Sequence, residues 1–316
     1  MNLLIGAATT GLILALLGLG VFLSYRVYHT LDLTADGSFL LGAAVTAALL
    51  VRHAHPLLAT SSGVVAGALA GGITGILHTR FRVSALLAGV LTSTALYSVS
   101  LFVMGSGNVS LASTDSLQTV AERLGQRLLG LPPSLTLLGA TVSGGSVAAL
   151  VLMLLLVAGL AVSLALFLGT DLGLAMRAAG NNPQMARAVA IDIGLMIVIG
   201  LGLSNGLIAL SGSLFAQFDL GSANIQMGIG ALVTGLANLM LGEALLGRRS
   251  IGRCIAGAVV GAVVFRLLVA AAVRAGLNPN ALKLVTALFV LVVLVLPRLI
   301  PRSRGLPAGE SAPSHA

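Results

Sequence analysis

Side chains that could do chemistry are few in this 316-residue chain, and they stand apart from one another. There are 9 acidic residues, and inside the long apolar segments they form neither a pair of carboxylates nor a Ser/His/Asp set. Among the 5 histidines only His53 and His55 are close together, which is not the spacing of a metal site. No GxxxxGK(S/T) sequence is present, so ATP binding through a phosphate-binding loop is excluded. The sequence therefore predicts neither an enzyme nor a metal centre.

Three charged residues interrupt apolar segments, where a charge needs a partner or a polar cavity. Asp36 comes just before Gly37 and Ser38 at the start of a predicted helix, so its carboxylate could close a gate or could only cap that helix. Glu243 and Arg266 lie in successive apolar segments and could form an ion pair. Glu243 is, however, near enough to the end of its segment to be solvated.

Uncharged polar residues inside the apolar segments are better candidates for lining the path of a polar solute. They cluster between residues 92 and 98, interrupt a later segment at Asn205, and recur at Asn224, Gln226 and Asn238. Ser and Thr hydroxyls often bond only the backbone of their own helix, which explains at least half of them without any function. A buried amide instead needs a partner from another helix or from water. The predicted gate or path residues are Asp36, Ser38, Thr92, Ser93, Tyr97, Asn205 and Asn238.

The elements that must position these residues are membrane helices. Hydrophobic residues make up 57% of the chain and charged residues 8%, whereas soluble domains carry roughly a quarter charged residues. A bilayer core of about 30 Å needs about 20 apolar helical residues. Nine stretches qualify: 2–24, 38–54, 56–78, 84–104, 140–168, 193–216, 226–246, 252–273 and 281–297.

These stretches predict an all-α, polytopic transmembrane helical bundle. The stretch 38–54 is short and 226–246 is rich in Gly and Asn, so either could be broken or re-entrant and the count of about nine could be eight or ten. Residues 1–300 are expected to form a single transmembrane domain. The small, polar residues 301–316 are expected to form a disordered tail.

The net charge is +8, and the distribution of its basic residues between the turns predicts the orientation of the chain in a membrane. The basic residues are scattered without interleaved aromatic residues, so no nucleic-acid partner is expected. Alternating spans put eleven arginines on one side: Arg26, Arg80, Arg82, Arg177, Arg187, Arg248, Arg249, Arg253, Arg298, Arg302 and Arg304. The other side receives five basic residues: Arg52, Arg123, Arg127, Arg274 and Lys283. The richer side is predicted to be cytoplasmic, with the N-terminus outside and the C-terminus and tail inside.

The connection 169–192 carries the most specific local pattern, GTDLGLAMRAAGNNPQMARAVAID. Its residues 172–179 have helical composition, and Gly180 with Asn181 is expected to break that helix. Asn182 then offers an N-cap and Pro183 suits the first helical position. The pattern predicts two short helices outside the membrane.

The second of these helices, over residues 184–191, is expected to present an apolar face. Met185, Ala188 and Val189 share one side, and Arg187 lies on another. An apolar face outside the membrane has to be covered. The cover could be a cytoplasmic partner domain or the helical bundle of this same chain.

Several stretches resemble one family of membrane proteins. RAAGNNPQMARAVAIDIG resembles the coupling loop of permeases of the branched-chain amino acid and ribose type. DLTADGSF, followed by LLGAA, resembles the segment after the first span in the related tryptophan/tyrosine ABC permeases. LTSTALYSVSLFVMGSGN, from Leu91, and GIGALVTGLANLMLGEALLG add matches in the same order. The resemblance covers most of residues 10–300.

The resemblance implies a permease subunit of a bacterial ABC importer in the plasma membrane, carrying a small organic solute such as an amino acid. It implies cytoplasmic ABC ATPase subunits that bind the ATP, an extracytoplasmic solute-binding protein, and a second copy or a paralogue of this chain; no cofactor is expected in the chain itself. The implied ATPase-coupling residues are Arg177, Gly180, Asn181, Asn182, Pro183, Met185, Arg187, Ala188 and Val189.

Two other classes remain open from the residues alone. An ion-coupled secondary transporter would place ionisable groups near mid-membrane, where only Arg266 clearly lies. A membrane assembly subunit without a substrate of its own is the second alternative.

Overall fold

The computed structural model describes residues 2–128, 134–137 and 140–276, together with Leu284 and Leu288. Helices account for most of these residues. They are α1 Asn2–Phe22, α2 Thr34–Val51, α3 Pro56–Thr79, α4 Ala85–Met104, α5 Leu117–Leu128, α6 Gly144–Phe167, α7 Asp171–Asn181, α8 Pro183–Ala188, α9 Ile193–Phe215, α10 Ala231–Leu246 and α11 Ile251–Arg274. A π-helical turn extends α1 over Leu23–Val27, and another extends α9 over Ala216–Leu220.

Among the described residues, 7 helices are long and apolar enough to cross a membrane: α1, α2, α3, α4, α6, α9 and α11. The 16-residue helix α10 is apolar but shorter. These eight helices coincide with eight of the nine predicted stretches. The ninth, 281–297, and the predicted tail 301–316 lie outside the described residues.

Over the described residues the architecture is an all-α bundle, as predicted, with four short strands added outside its helices. β1 Asn108–Ser110 pairs antiparallel with β4 Ser222–Asn224, and β2 Ser134–Leu137 pairs antiparallel with β3 Ala140–Ser143. All four lie in connections between helices. The stretch predicted to begin a span at residue 140 becomes helical only at Gly144, because residues 140–143 pair with β2.

The first helix is the centre of the bundle. It packs against α6, α9, α10 and α11, and the large, fully buried side chains Ile13, Leu16, Leu17 and Leu19 come from it. Glycines permit the closest approaches between helices. Gly242 of α10 meets the backbone of Gly257 of α11, where a Cβ atom would find no room. Small residues at helix contacts are typical of membrane bundles, because close backbone approach there replaces hydrophobic burial as the source of packing.

Charges are distributed unequally between the two ends of the bundle. We call one end, where α1, α3, α6 and α10 finish and α4, α9 and α11 begin, the basic end. Its arginines are Arg26, Arg80, Arg82, Arg177, Arg187, Arg248, Arg249 and Arg253. The opposite end holds the α2–α3 turn, the pair of β1 and β4, and α5. The structure therefore groups these eight arginines as the alternating spans predicted.

Candidate functional site

The second helix begins inside the bundle, beside the middle of α9. Asp32, only 3% exposed, lies just before α2, and its carboxylate accepts a hydrogen bond of 2.6 Å from the Nδ2 of the buried Asn205. The same carboxylate accepts the backbone N–H of Thr34 at 2.9 Å. The Thr34 and Thr74 hydroxyls are 2.9 Å apart. These contacts anchor the start of α2 to α3 and α9 through polar groups.

Tyr28 ties the chain to α9 just before it turns towards α2. Its phenol donates a hydrogen bond of 2.6 Å to the carbonyl of Met196, and the ring packs on Gly200, where a Cβ atom would collide with it. Burial raises the pKa of Tyr28 well above its ordinary value. The phenol of tyrosine is neutral at physiological pH even at its ordinary pKa, so it can donate this hydrogen bond.

Two roles were predicted for Asp36: closing a gate, or capping its own helix. The structure shows that it does not cap its own helix. Although it lies in the first turn of α2, its carboxylate accepts the backbone N–H of Gly230 at 3.2 Å and that of Leu232 at 2.7 Å. It therefore satisfies the amino terminus of α10, where a carboxylate is favoured. Gly37, the residue after Asp36, packs against Ser93 near the middle of α4. Asp36 therefore lies within the bundle, and α10 begins there because its first N–H groups bond Asp36.

Several buried polar atoms in the bundle have no hydrogen-bond partner among the described residues. They are Ser38 Oγ, Thr92 Oγ1, Ser100 Oγ, Asn205 Oδ1 and Asn238 Oδ1. Buried polar groups normally find a partner in protein or water. Four of these five residues are among the predicted gate or path residues, and their role in a polar path stays a prediction.

The amides of Asn205 and Asn238 bond across helices, as their burial requires. Asn205 bonds Asp32 and its own helix at Leu201. Asn238 donates a hydrogen bond of 3.3 Å to the carbonyl of Leu14 in α1. Each therefore links its helix to another part of the bundle.

Helix α4 exposes a polar strip on the outside of this chain. Thr94, Tyr97 and Ser98 are exposed, and Ser93 is half-buried beside them. The spacing of residues 94, 97 and 98 puts them on one face of the helix. A polar strip is costly against lipid. Leu91 and Leu101 are exposed on α4 as well, and the Thr94 hydroxyl donates to the carbonyl of Val90 in its own helix at 2.8 Å. Tyr97 and Ser98 are therefore the exposed polar groups of this strip that have no hydrogen-bond partner among the described residues.

The predicted pair of Glu243 with Arg266 does not form. Glu243, near the end of α10, is paired with Arg26 and, at 2.8 Å, with Arg248. Arg266 is paired instead with Asp219, at 3.3 Å. Helix α11 begins next to the end of α10, so Arg266, 15 residues into α11, lies about 22 Å further along the axis. Adjacent helices in sequence thus place these two residues at different depths.

The connection 169–192 forms two short helices at the basic end, as predicted. The side chain of Asn182 accepts the backbone N–H of Met185 at 3.0 Å, and Pro183 takes the first position of α8. Met185 is 66% and Val189 62% exposed, and Ala188 is exposed as well. Ala186, on the other side, is buried. The described part of the chain therefore leaves the predicted apolar face uncovered.

Two details of this loop differ from the prediction. Gly180 and Asn181 do not break the first helix, since α7 continues to Asn181. Gly180 instead packs on the backbone carbonyl of Val27, where a Cβ atom would collide. The second helix ends at Ala188, earlier than the predicted residue 191, because Ala190 adopts a left-handed conformation with φ 60°. Arg177 of α7 is half-buried, and Arg187 of α8 is exposed.

Sequence reasoning did not select four residues that the structure makes prominent. Asp32 stands in the stretch DLTADGSF and Arg26 contributes to the charge asymmetry, but neither pattern indicates their buried partners Asn205 and Glu243. Gln217, 2% exposed, donates to Thr60 and accepts the backbone N–H of Leu117. Asp219 binds Arg266. All four residues are ionisable or amide side chains just outside apolar stretches, and that position in the sequence could have identified them as candidates for contacts between helices.

The described residues define a polytopic membrane protein with polar contacts between its helices and an exposed helical loop at its basic end. That description fits the membrane subunit of a transport system. The family model described as "Branched-chain amino acid transport system / permease component" matches residues 3–295, and the chain belongs to that family. The resemblance identified from the sequence motifs is thereby confirmed.

Two curated proteins are similar to this chain over nearly their whole length. The "Tyrosine transport system permease protein" of Clostridioides difficile (strain R20291) is 35% identical over 294 residues, covering 93% of this chain and 91% of that protein. An uncharacterised protein of Rickettsia prowazekii (strain Madrid E) is 30% identical over 299 residues, covering 93% and 97% respectively. No solved structure matches the chain significantly. The family and the first relative identify a transport permease with several membrane helices.

Proposed function

We propose that this chain is the membrane-spanning subunit of a bacterial ABC importer for an amino acid or a related small solute. Separate cytoplasmic ATPase subunits bind and hydrolyse the ATP, and an extracytoplasmic solute-binding protein delivers the solute. The chain resides in the bacterial plasma membrane with its basic end in the cytoplasm. The family and the relative named as a tyrosine transport permease support this proposal, and they favour an aromatic amino acid as the first solute to test.

The exposed face of α8 is the observation that carries the coupling step. This face, with Met185, Ala188 and Val189, is exposed at the basic end. The preceding helix α7 packs closely on the backbone of Val27 through Gly180. An ATPase that covers this face could move α7 and, through it, the end of α1. The chain has no phosphate-binding loop of its own. ATP-driven motion would therefore reach the bundle through this loop.

The solute path is proposed to run along the starts of α2 and α10. Asp36 and Ser38 lie in α2, and Asn205 and Asn238 contribute polar atoms that lack partners among the described residues. The exposed strip of Thr94, Tyr97 and Ser98 faces a second copy of this chain, or a paralogue, rather than lipid. A second copy would cover the strip and so remove the cost of exposing polar groups to lipid.

The proposal is tested by reconstituting the chain in liposomes with the cognate ATPase and binding protein. We expect tyrosine uptake that requires ATP and all three components, and no ATP hydrolysis by the purified chain alone. Tyrosine uptake that follows an imposed ion gradient without ATPase would instead identify a secondary transporter. Robust hydrolysis by the isolated chain, free of contaminants, would refute the proposal. If tyrosine is not taken up although ATP hydrolysis responds to the binding protein, only the solute assignment fails.

A further inference from the structure

A cavity of about 470 Å³ opens at the basic end of the bundle. Its walls come from the end of α1 and the turn after it, the end of α6, α7 and the start of α11. The volume falls within the range of about 300–1,000 Å³ that small-molecule sites occupy. The cavity is separate from the polar path proposed at the starts of α2 and α10, but its α7 wall, with Arg177 and Asn181, belongs to the 169–192 loop.

Three basic side chains line the cavity: Arg26, His29 and Arg177. Arg26 is held by Glu243, which is also bound by Arg248. One carboxylate thus faces two guanidinium groups, and the local charge stays positive. Arg177 makes no ion pair within the described residues, so its guanidinium is available to an incoming anion. Guanidinium groups suit phosphate oxygens because they donate two parallel hydrogen bonds.

The remaining walls are apolar and belong to membrane helices. Phe22, Leu168 and Ile251 line the cavity beside the basic groups. The helices that frame it, α6 and α11, both pack on α1 and barely touch each other. Leu166, at the same end of α6, is 69% exposed on the outer surface. Leu166 is two residues before Leu168 of the cavity wall, so the exposed apolar surface of α6 comes close to the cavity.

We propose that this cavity binds the phosphate headgroup of an anionic phospholipid, with the first part of the acyl chains against its apolar walls. A free phosphate would use the arginines but would gain nothing from Phe22 and Leu168. A zwitterionic lipid would use the apolar walls but would bring a cation to the arginines. Exposed Arg249 and Arg253 flank Ile251 in the chain and add positive charge close to this wall. Basic pockets between membrane helices on the cytoplasmic side are suited to such headgroups.

The test compares lipids on the purified chain by native mass spectrometry and by thermal melting in detergent. The probes are phosphatidylglycerol, phosphatidylcholine with the same acyl chains, and inorganic phosphate. We expect bound phosphatidylglycerol that survives purification, and a rise in melting temperature with phosphatidylglycerol only. Equal stabilisation by phosphatidylcholine would refute the role of the arginines. Equal stabilisation by inorganic phosphate would assign the site to a free anion and refute the lipid.

Two variants locate the site. Arg177→Gln should weaken phosphatidylglycerol binding about 10-fold, since it removes one hydrogen-bonding charge, and Ala178→Phe should abolish binding by filling the cavity. Arg80→Gln removes an exposed arginine at the same end outside the cavity and should bind like the unaltered chain. Each variant is first melted without lipid, and Arg177→Gln is expected to melt normally. If Arg177→Gln keeps its lipid, the proposal fails; if it loses only ATPase co-purification, the cavity receives a protein partner instead.

Discussion

At the scale of single residues, Asp36 joins the start of one helix to the start of another. Its carboxylate accepts two backbone N–H groups at the amino terminus of α10 while its own backbone lies in the first turn of α2. A helix that begins inside a bundle leaves N–H groups that water cannot reach. The carboxylate replaces that water. Asp36 is therefore both a structural tie and part of the proposed path.

Replacing Asp36 should destabilise the chain in proportion to the hydrogen bonds removed. Asp36→Ala leaves two N–H groups unsatisfied and should lower the free energy of unfolding by about 1–3 kcal/mol. Asp36→Asn keeps one acceptor oxygen and should cost about half of that, within the range of about 0.5–2 kcal/mol known for helix caps. Thermal melting of the purified chain in detergent would measure both.

The matched control is Asp171→Asn, which changes an exposed carboxylate in the first turn of α7. It should change stability by no more than about 0.5 kcal/mol. If Asp36→Ala melts like this control, the hydrogen bonds to Gly230 and Leu232 contribute nothing measurable. Asp36 would then lose its role as the tie between α2 and α10.

Sequence reasoning was most accurate where structure is local and least accurate where partners are distant. Asn182 was predicted to cap α8 and Pro183 to take its first helical position, and both do, because a helix start depends on a few neighbouring residues. Glu243 was predicted to pair with Arg266; it pairs instead with the nearby Arg248 and with Arg26, which is 217 positions away in the chain. Such a pairing depends on how α1 packs between α10 and α11. No local pattern contains that information.

At the scale of elements, α8 differs from the other helices of the basic end. It has 6 residues and buries Ala186 while exposing the face with Met185 and Ala188. A helix this short has little stability of its own. Its position therefore depends on the cap at Asn182 and on the contact made by Ala186. The exposed face is free to take part in a contact with another protein.

Replacing either of two alanines in α8 by aspartate should separate folding from partner binding. Ala188→Asp places a carboxylate on the exposed face. It should change the free energy of unfolding of the isolated chain by no more than about 0.5 kcal/mol, so its melting stays normal. It should nevertheless abolish co-purification of the ATPase, since an unpaired buried charge costs several kcal/mol in a contact. Ala186→Asp, in contrast, should destabilise the isolated chain itself, because residue 186 is buried within it.

Both quantities are needed for the interpretation. An Ala188→Asp chain with normal ATPase binding and normal solute uptake would remove the coupling role from α8. An Ala188→Asp chain that melts as low as Ala186→Asp would show that the face is covered by this chain's own residues. Only normal melting with lost ATPase binding agrees with the proposed contact.

At the scale of the whole molecule, the two ends differ in charge and in architecture. The basic end carries α7, α8 and the cavity lined by Arg26 and Arg177. The opposite end carries the pair of β1 and β4 together with α5. Sequence predicted the grouping of charges because each turn between apolar stretches can be assigned to a side. It could not predict the pairing of β1 with β4, since residues 108–110 and 222–224 lie more than 100 positions apart in the chain.

Labelling with a thiol reagent that cannot cross the membrane tests which end is cytoplasmic. Cys254 is the only cysteine and is replaced by alanine first. Gln184→Cys then marks the basic end, and Ser106→Cys marks the opposite end; both positions are exposed. Because positively charged turns remain on the cytoplasmic side, intact cells should label position 106, and position 184 should react only after the membrane is opened. The reverse pattern would invert the orientation, move α8 out of reach of a cytoplasmic ATPase, and so refute the importer mechanism proposed for this chain.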